Sequence, residues 1–194
     1  LSFEIDEEEN DNSLSSSLDI MNMSKEYGNY LKLIGEAGIG KSRIMRHLQY
    51  NDAKEGKIFP VYVELKELSD FKYSIMELIY EKSGLDEKAC RLLMENGGMN
   101  LYLDGVNEIL CSDKNKRIAC SQIDELPVKY PKTKILVSDR ESSQVSVRMD
   151  IPTFLLSKLD ESMIHEFVHK NCKSKDYEDK IINILEERKD RKSV

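Results

Sequence analysis

From Tyr30 onward, short apolar runs alternate with stretches whose apolar residues recur every three or four positions. The first pattern suits strands buried on both faces and the second suits helices that bury one face. The apolar runs predict strands at Leu31 to Ile34, Ile58 to Leu65, Met99 to Leu103, Lys134 to Ser138 and Thr153 to Leu156. Between them the spacing predicts helices at Lys41 to Tyr50, Ser74 to Lys82, Glu87 to Glu95 and Lys114 to Leu126. Such alternation implies an α/β fold: a parallel five-stranded sheet with helices on both faces and right-handed crossovers. After Asp160 only the helical period persists, with Met163, Ile164, Phe167 and Val168 on one face, then Ile181, Ile182, Ile184 and Leu185. We therefore expect a core over residues 30–157 and the start of a helical subdomain over 158–194.

The stretch before Tyr30 differs in composition. Leu1 to about Asn22 mixes an acidic block with Ser13, Ser15, Ser16 and Ser17 and holds few apolar residues, so residues 1–29 read as an acidic, Ser-rich tail or linker. The chain begins at Leu1 and not at Met, and a piece of something longer is expected, with a further domain on the N-terminal side. With 36 acids against 29 bases, the seven acids of residues 1–20 account for the whole net charge of −7. The body is neutral, so nucleic acid is not indicated as the main partner. A charged fraction of 34% excludes a membrane-spanning helix, since no apolar run approaches the ~18 residues one needs. The start lacks the basic and apolar stretches of a signal peptide, and a cytoplasmic location is expected. Cys90, Cys111, Cys120 and Cys172 are widely spaced, with no Cys-x-x-Cys pair, and are expected to be free thiols.

The chemistry-bearing segments lie at strand ends. Gly35-Glu36-Ala37-Gly38-Ile39-Gly40-Lys41-Ser42 fits G-x-x-x-x-G-K-[ST] between a predicted strand and a predicted helix, the context this phosphate-binding loop requires. Glycines let backbone N–H groups curl around phosphate oxygens, and the helix N-terminus adds its positive dipole end. Lys41 would reach the β- and γ-phosphates, and the Ser42 hydroxyl would ligate Mg²⁺. Lys41 and Arg43 also occupy the first helical turn, where the dipole disfavours cations by ~0.3–1 kcal/mol. A bound phosphate reverses that sign. The alternative is a glycine-rich turn that matches by accident.

A second segment, Leu101-Tyr102-Leu103-Asp104-Gly105-Val106-Asn107-Glu108, is an apolar strand ending in an acid that could hold the Mg²⁺ shell, the Walker B arrangement. An Asp that merely caps the next helix is the competing reading. Gly105, after that acid, has no side chain with which to orient an attacking water. Glu108 is the nearest acid and reaches the site only if the chain turns sharply at Gly105. In a third segment, Ile135-Leu136-Val137-Ser138-Asp139-Arg140, Arg140 could sense a γ-phosphate on the same sheet edge or be a solvated loop residue.

These pieces, in this order, resemble the NACHT branch of the signal-transducing (STAND) P-loop ATPases over roughly Tyr30 to Asn171. The resemblance is carried by Gly35 to Ser42, by Pro60-Val61-Tyr62-Val63-Glu64-Leu65 and by Leu103 to Glu108, with a small residue after the acid and acids further along. Tyr130-Pro131 before the strand ending in Arg140, and Leu156-Ser157-Lys158-Leu159-Asp160 before a helix, add to it. The resemblance implies an ATP/ADP and Mg²⁺ site in a P-loop NTPase fold. Gly35 to Arg43 would line the nucleotide, Ser42 and Asp104 would hold the metal, and Lys41, Asp104, Glu108 and Arg140 would carry the chemistry. It further implies a switch that self-associates in the full-length protein when a sensor domain meets its ligand, with an effector domain delivering the output, in the manner of innate-immune and antiviral defence receptors. Asp139 stands where the family has a small residue, and Asn107 where it usually has an acid; with Gly105 and Asn107 in these places slow hydrolysis is expected, or a nucleotide-stabilised scaffold without turnover.

Other features are weaker. A P-loop kinase or a remodelling ATPase ranks last among the readings; a small-molecule kinase would need an Arg-rich lid, and residues 141–157 contain only Arg148. His165, His169 and Cys172 have one-face helical spacing compatible with a metal, but no fourth ligand accompanies them. Asp124 and Glu125 read as solvated neighbours, and Tyr62, Tyr73, Tyr80 and Tyr102 as packing.

Overall fold

Strands form where the apolar runs lie, because each run is flanked by turn residues and can be covered on both sides. The computed structural model describes residues 3–5, 27–69, 73–148, 150–157, 165, 168, 169, 172 and 174–190. The strands are β1 (Phe3–Ile5), β2 (Tyr30–Ile34), β3 (Phe59–Glu64), β4 (Met99–Asp104), β5 (Lys134–Ser138) and β6 (Thr153–Leu156); the helices are α1 (Lys41–Glu55), α2 (Ile75–Ser83), α3 (Glu87–Glu95), α4 (Asp113–Lys129) and α5 (Lys175–Asp190). The sheet order is β1-β6-β2-β5-β4-β3, and β2 to β6 are mutually parallel. The chain divides into two compact units, Ser2–Ser157 and Lys158–Val194 with Leu1.

The five expected parallel strands are present, but the sheet has a sixth. β1 pairs antiparallel with β6, Phe3 opposite Leu156 and Ile5 opposite Phe154. Part of the stretch expected to be tail is therefore sheet. Leu1-Ser2-Phe3-Glu4-Ile5 does alternate apolar and polar residues, as a strand does, but the acidic, Ser-rich stretch that follows it dominated the composition. Residues 6–26 of that expected tail lie outside the described residues, as do Met163, Ile164 and Phe167 of the expected apolar helix face.

Alternation along the strands divides the core between the two faces of the sheet. Leu101, Leu103, Ile135 and Val137 join Leu78, Ile79, Cys90, Met94 and Ile123 in one cluster, so α2, α3 and α4 cover that face. Tyr102 and Leu136 point the other way and join Leu31, Leu33, Ile44, Met45, Leu48 and Phe154 in the second. That face belongs to α1. Each fully buried aliphatic side chain contributes about 1.5–3 kcal/mol relative to exposure. In the other unit α5 runs from Lys175 to Asp190 with Ile181 and Ile184 exposed, and Val168 is buried.

Three helices begin with a side chain that accepts a hydrogen bond from their own first turn. Ser74 caps α2 in a reciprocal box with Glu77, Asp86 caps α3 and Ser112 caps α4. α1 begins differently. Its N-cap is Gly40, no side chain caps it, and its first turn holds no acid.

Candidate functional site

The loop between β2 and α1 owes its path to glycine. A Cβ on Gly35 would sit 2.9 Å from the Leu156 carbonyl oxygen and 3.1 Å from the Ile39 Cγ2 atom, so no side chain fits there. Gly40 has φ 111° at the start of α1, a conformation that other residues rarely adopt. Lys41 is buried, and its Nζ donates to the carbonyls of Gly35 at 2.7 Å and Glu36 at 2.9 Å. The ammonium is thereby held over the loop. Burial, and after it the charge of Arg140, hold Lys41 below the ordinary lysine range, while Asp104, Asp139 and Glu108 pull the other way.

Opposite this loop, Asp104 ends β4 with both carboxylate oxygens engaged. Ser138 Oγ donates to Oδ1 and Tyr62 OH donates to Oδ2, and the Gly105 N–H donates to Ser138 Oγ at 2.8 Å. Burial, then the hydrogen bond to Asp104, push the Tyr62 phenol above its ordinary range. Asp104 caps no helix: the 3₁₀ turn Val106–Glu108 starts from Gly105 without a side-chain cap. Gly105 has φ 86°, and the Glu108 N–H donates to the Gly105 carbonyl at 2.9 Å. The sharp turn folds the Glu108 side chain back over Gly105, to within 3.1–3.3 Å of where a Cβ would lie.

One cleft of about 320 Å³ is lined by Ala37, Gly38, Gly40, Lys41, Ser42, Arg43, Asp104, Gly105, Asn107, Glu108, Ser138 and Arg140. The structure thus gathers most of the sequence-predicted residues, from three strand ends, around one space. Gly35 and Glu36 face a second, more open cleft with Ala37, Arg140, Glu141 and Ser142. Ile39 does not line the cleft; its side chain packs against the core under α1. Among the described residues no group of three or more His, Cys, Asp or Glu side chains could hold a metal. The four cysteines are free, and burial raises Cys120 to about 11.

Sequence reasoning missed the residues that hold this site together. Tyr62, read as packing, and Ser138 both bind Asp104. Asp139 is fully buried and accepts from the Arg140 N–H at 2.7 Å, from Ser143 Oγ and from Ser146 Oγ, and Lys32 Nζ donates to Ser146 Oγ at 2.8 Å. It therefore anchors the loop that carries Arg140. Asp124, read as solvated, accepts from Tyr30 OH at 2.9 Å and from the Arg148 N–H at 3.1 Å. An aromatic with a polar tip, or an acid near a serine-rich loop, is the available sequence signal.

The donor set fits nucleotide and metal. An uncapped helix start, a glycine cradle and a buried ammonium suit phosphate oxygens, and a hydroxyl and a carboxylate suit a hard cation with oxygen ligands. This loop, placed after β2 with an acid ending β4, makes the chain an α/β protein with the P-loop NTPase fold. Solved structures share it: a DNA replication initiation factor aligns with a TM-score of 0.50 and 17% identity over 90% of this chain and 63% of that one. The Drosophila ORC bound to DNA aligns with a TM-score of 0.51 and 11% identity over 79% of this chain and 46% of that one. The chain thus spans less than two thirds of either. At these identities the likeness concerns the fold alone. No family model matches the chain, and no curated protein does. Among the described residues no helix is long and apolar enough to cross a membrane.

Proposed function

We propose that this chain is a slowly hydrolysing ATP-binding switch, the nucleotide core of a longer signalling protein of the NACHT type. The observation that carries the proposal is the meeting of Lys41, Ser42, Asp104, Glu108 and Arg140 around one cleft. Lys41 and the start of α1 bind the phosphates, and Ser42 and Asp104 hold Mg²⁺. When bound, Mg²⁺ neutralises charge on the β- and γ-phosphate oxygens. Glu108 orients a water and takes its proton, and Arg140 reports the γ-phosphate. Asn107 can position that water but cannot accept its proton, which suits turnover well below the ~10 s⁻¹ enzyme median. A long-lived ATP state would keep a self-associated, signalling form assembled. The sensor ligand, the effector and the role in defence belong to this proposal through the motif order alone.

Calorimetry with ADP and a non-hydrolysable ATP analogue tests it. The parent should bind both, and Lys41→Ala should stay folded and bind the triphosphate at least about tenfold more weakly, since a point charge facing the phosphates is lost. Equal affinity in the folded variant overturns the assignment. Asn107 in the cleft favours one second reading, a scaffold that keeps its nucleotide without turnover. Slow turnover in the parent that rises in Asn107→Asp would support the switch with Asn107 as its brake, whereas no turnover in the parent would favour the scaffold.

A further inference from the structure

Asp104 is held by an aromatic side chain from the neighbouring strand. In the β3–β4 register Tyr62 lies opposite Tyr102 and Glu64 opposite Asp104, so Tyr62 and Asp104 are diagonal neighbours on one face of the sheet, within reach of a long side chain. The Tyr62 hydroxyl donates to Asp104 Oδ2 while Ser138 Oγ donates to Oδ1. The ring itself is fixed. It packs on the core under α1, and the Arg46 guanidinium lies over its face, 4.3 Å from the centroid. Arg46 in turn reaches Glu64 Oε1 at 2.6 Å. Arg46 belongs to α1, the helix that opens at the phosphate loop. Tyr62 therefore links the phosphate-loop helix to the carboxylate across the cleft.

We propose that Tyr62 is a positioning residue for the Asp104 carboxylate, setting its orientation toward the divalent cation that accompanies a nucleotide. The inference rests on the nucleotide–Mg²⁺ reading of the cleft. Each carboxylate oxygen offers two lone pairs, so one hydroxyl bond apiece stops the group rotating and leaves each oxygen able to accept again. Partners of this kind behind a metal-binding carboxylate fix its direction, and their loss costs roughly 10–100-fold in metal affinity. A tyrosine that only packed would need no hydroxyl here.

The experiment compares parent and Tyr62→Phe, which keeps the ring beneath Arg46 and removes only the hydroxyl. ADP is titrated calorimetrically in Mg²⁺ and again in EDTA, and Mn²⁺ binding to the ADP-loaded protein is read by electron paramagnetic resonance. The affinity gained on adding Mg²⁺ should shrink about tenfold in Tyr62→Phe, Mn²⁺ should bind correspondingly more weakly, and the EDTA affinity should stay at the parent value. Equal weakening in Mg²⁺ and EDTA would show packing alone, and unchanged affinity in both would show an idle hydroxyl. Either overturns the inference and leaves the nucleotide reading standing. A parent that binds no ADP in either buffer removes both. Should Tyr62→Phe fold poorly, Arg46→Gln, which frees the ring without deleting the hydroxyl, takes the same titrations. A smaller loss confined to Mg²⁺ supports the positioning role, and any other pattern rejects it.

Discussion

Replacing Gly105 with Ala tests the hydrolytic role proposed for Glu108, because the three atoms nearest the added methyl group all belong to that residue. Gly105 sits at φ 86° and ψ 59°, where a side chain costs about 1–2 kcal/mol. For a unit of this size that predicts a melting temperature lower by roughly 2–8 °C. The new Cβ would lie 3.1 Å from Glu108 Cδ, 3.2 Å from Cγ and 3.3 Å from Oε2, closer than ordinary contact. The Glu108 side chain must give way by a few tenths of an ångström. A 1 Å misplacement in a reacting site costs about 10²-fold, so this shift should slow turnover roughly threefold to tenfold. Deleting the base outright, in Glu108→Gln, should cost about 10²–10⁴-fold. Nucleotide affinity should hold in both, since the phosphate loop lies across the cleft. Single-turnover hydrolysis and calorimetry on the two variants and their combination provide the assay. If Gly105→Ala acts through Glu108, the double variant is no slower than Glu108→Gln. Multiplying effects, or equal losses of affinity and rate, would refute the role given to Glu108.

Arg140→Ala should compress the ratio of ATP to ADP affinity by weakening ATP alone, measured by paired calorimetric titrations; equal loss for both nucleotides would remove its sensing role. Asp139→Ala should destabilise the fold by about 2–4 kcal/mol in urea unfolding, because it strands two hydroxyls and an N–H near Arg140, and it should weaken ATP more than ADP; an unchanged midpoint would mean that the loop does not depend on this carboxylate. Gly35→Ala should lose nucleotide binding altogether, as its methyl group would press a backbone oxygen that cannot yield; retained binding would count against the loop geometry.

The parallel strands and the phosphate loop were legible because their signals are local. Apolar runs mark β2 to β6 to within a residue or two, and Gly35 to Ser42 needs only its own spacing. α1 runs five residues beyond the expected Tyr50, since Asp52 is drawn inward to accept from Asn100 at 2.6 Å and Tyr102 at 2.7 Å. That contact is non-local, and so are those the sequence hid. Tyr62 meets Asp104 across strands, Ser138 meets it from β5, and Asp124 reaches back to Tyr30. No period in a single chain encodes such meetings. β1 was missed for another reason: its alternation at Leu1, Phe3 and Ile5 is short and runs straight into an acidic, Ser-rich stretch that reads as tail. Glu108 was readable as a candidate only because Gly105 lies where a turn would be needed.

The strand order bears on how the cleft comes into being. β5 lies between β2 and β4, although both precede it in the chain. Tyr30 pairs with Ile135 across more than half of the sequence, and β2 and β4 share no ladder until β5 arrives between them. The central strand is therefore the last of the three to be made, and its insertion closes long loops late. Ser138 and Arg140 travel with it. The phosphate loop and Asp104 therefore face each other across a gap that only β5 fills, and the cleft is complete once that strand is in place. A ligand that spans the cleft would then hold this late strand in place and favour the folded chain over the unfolded one.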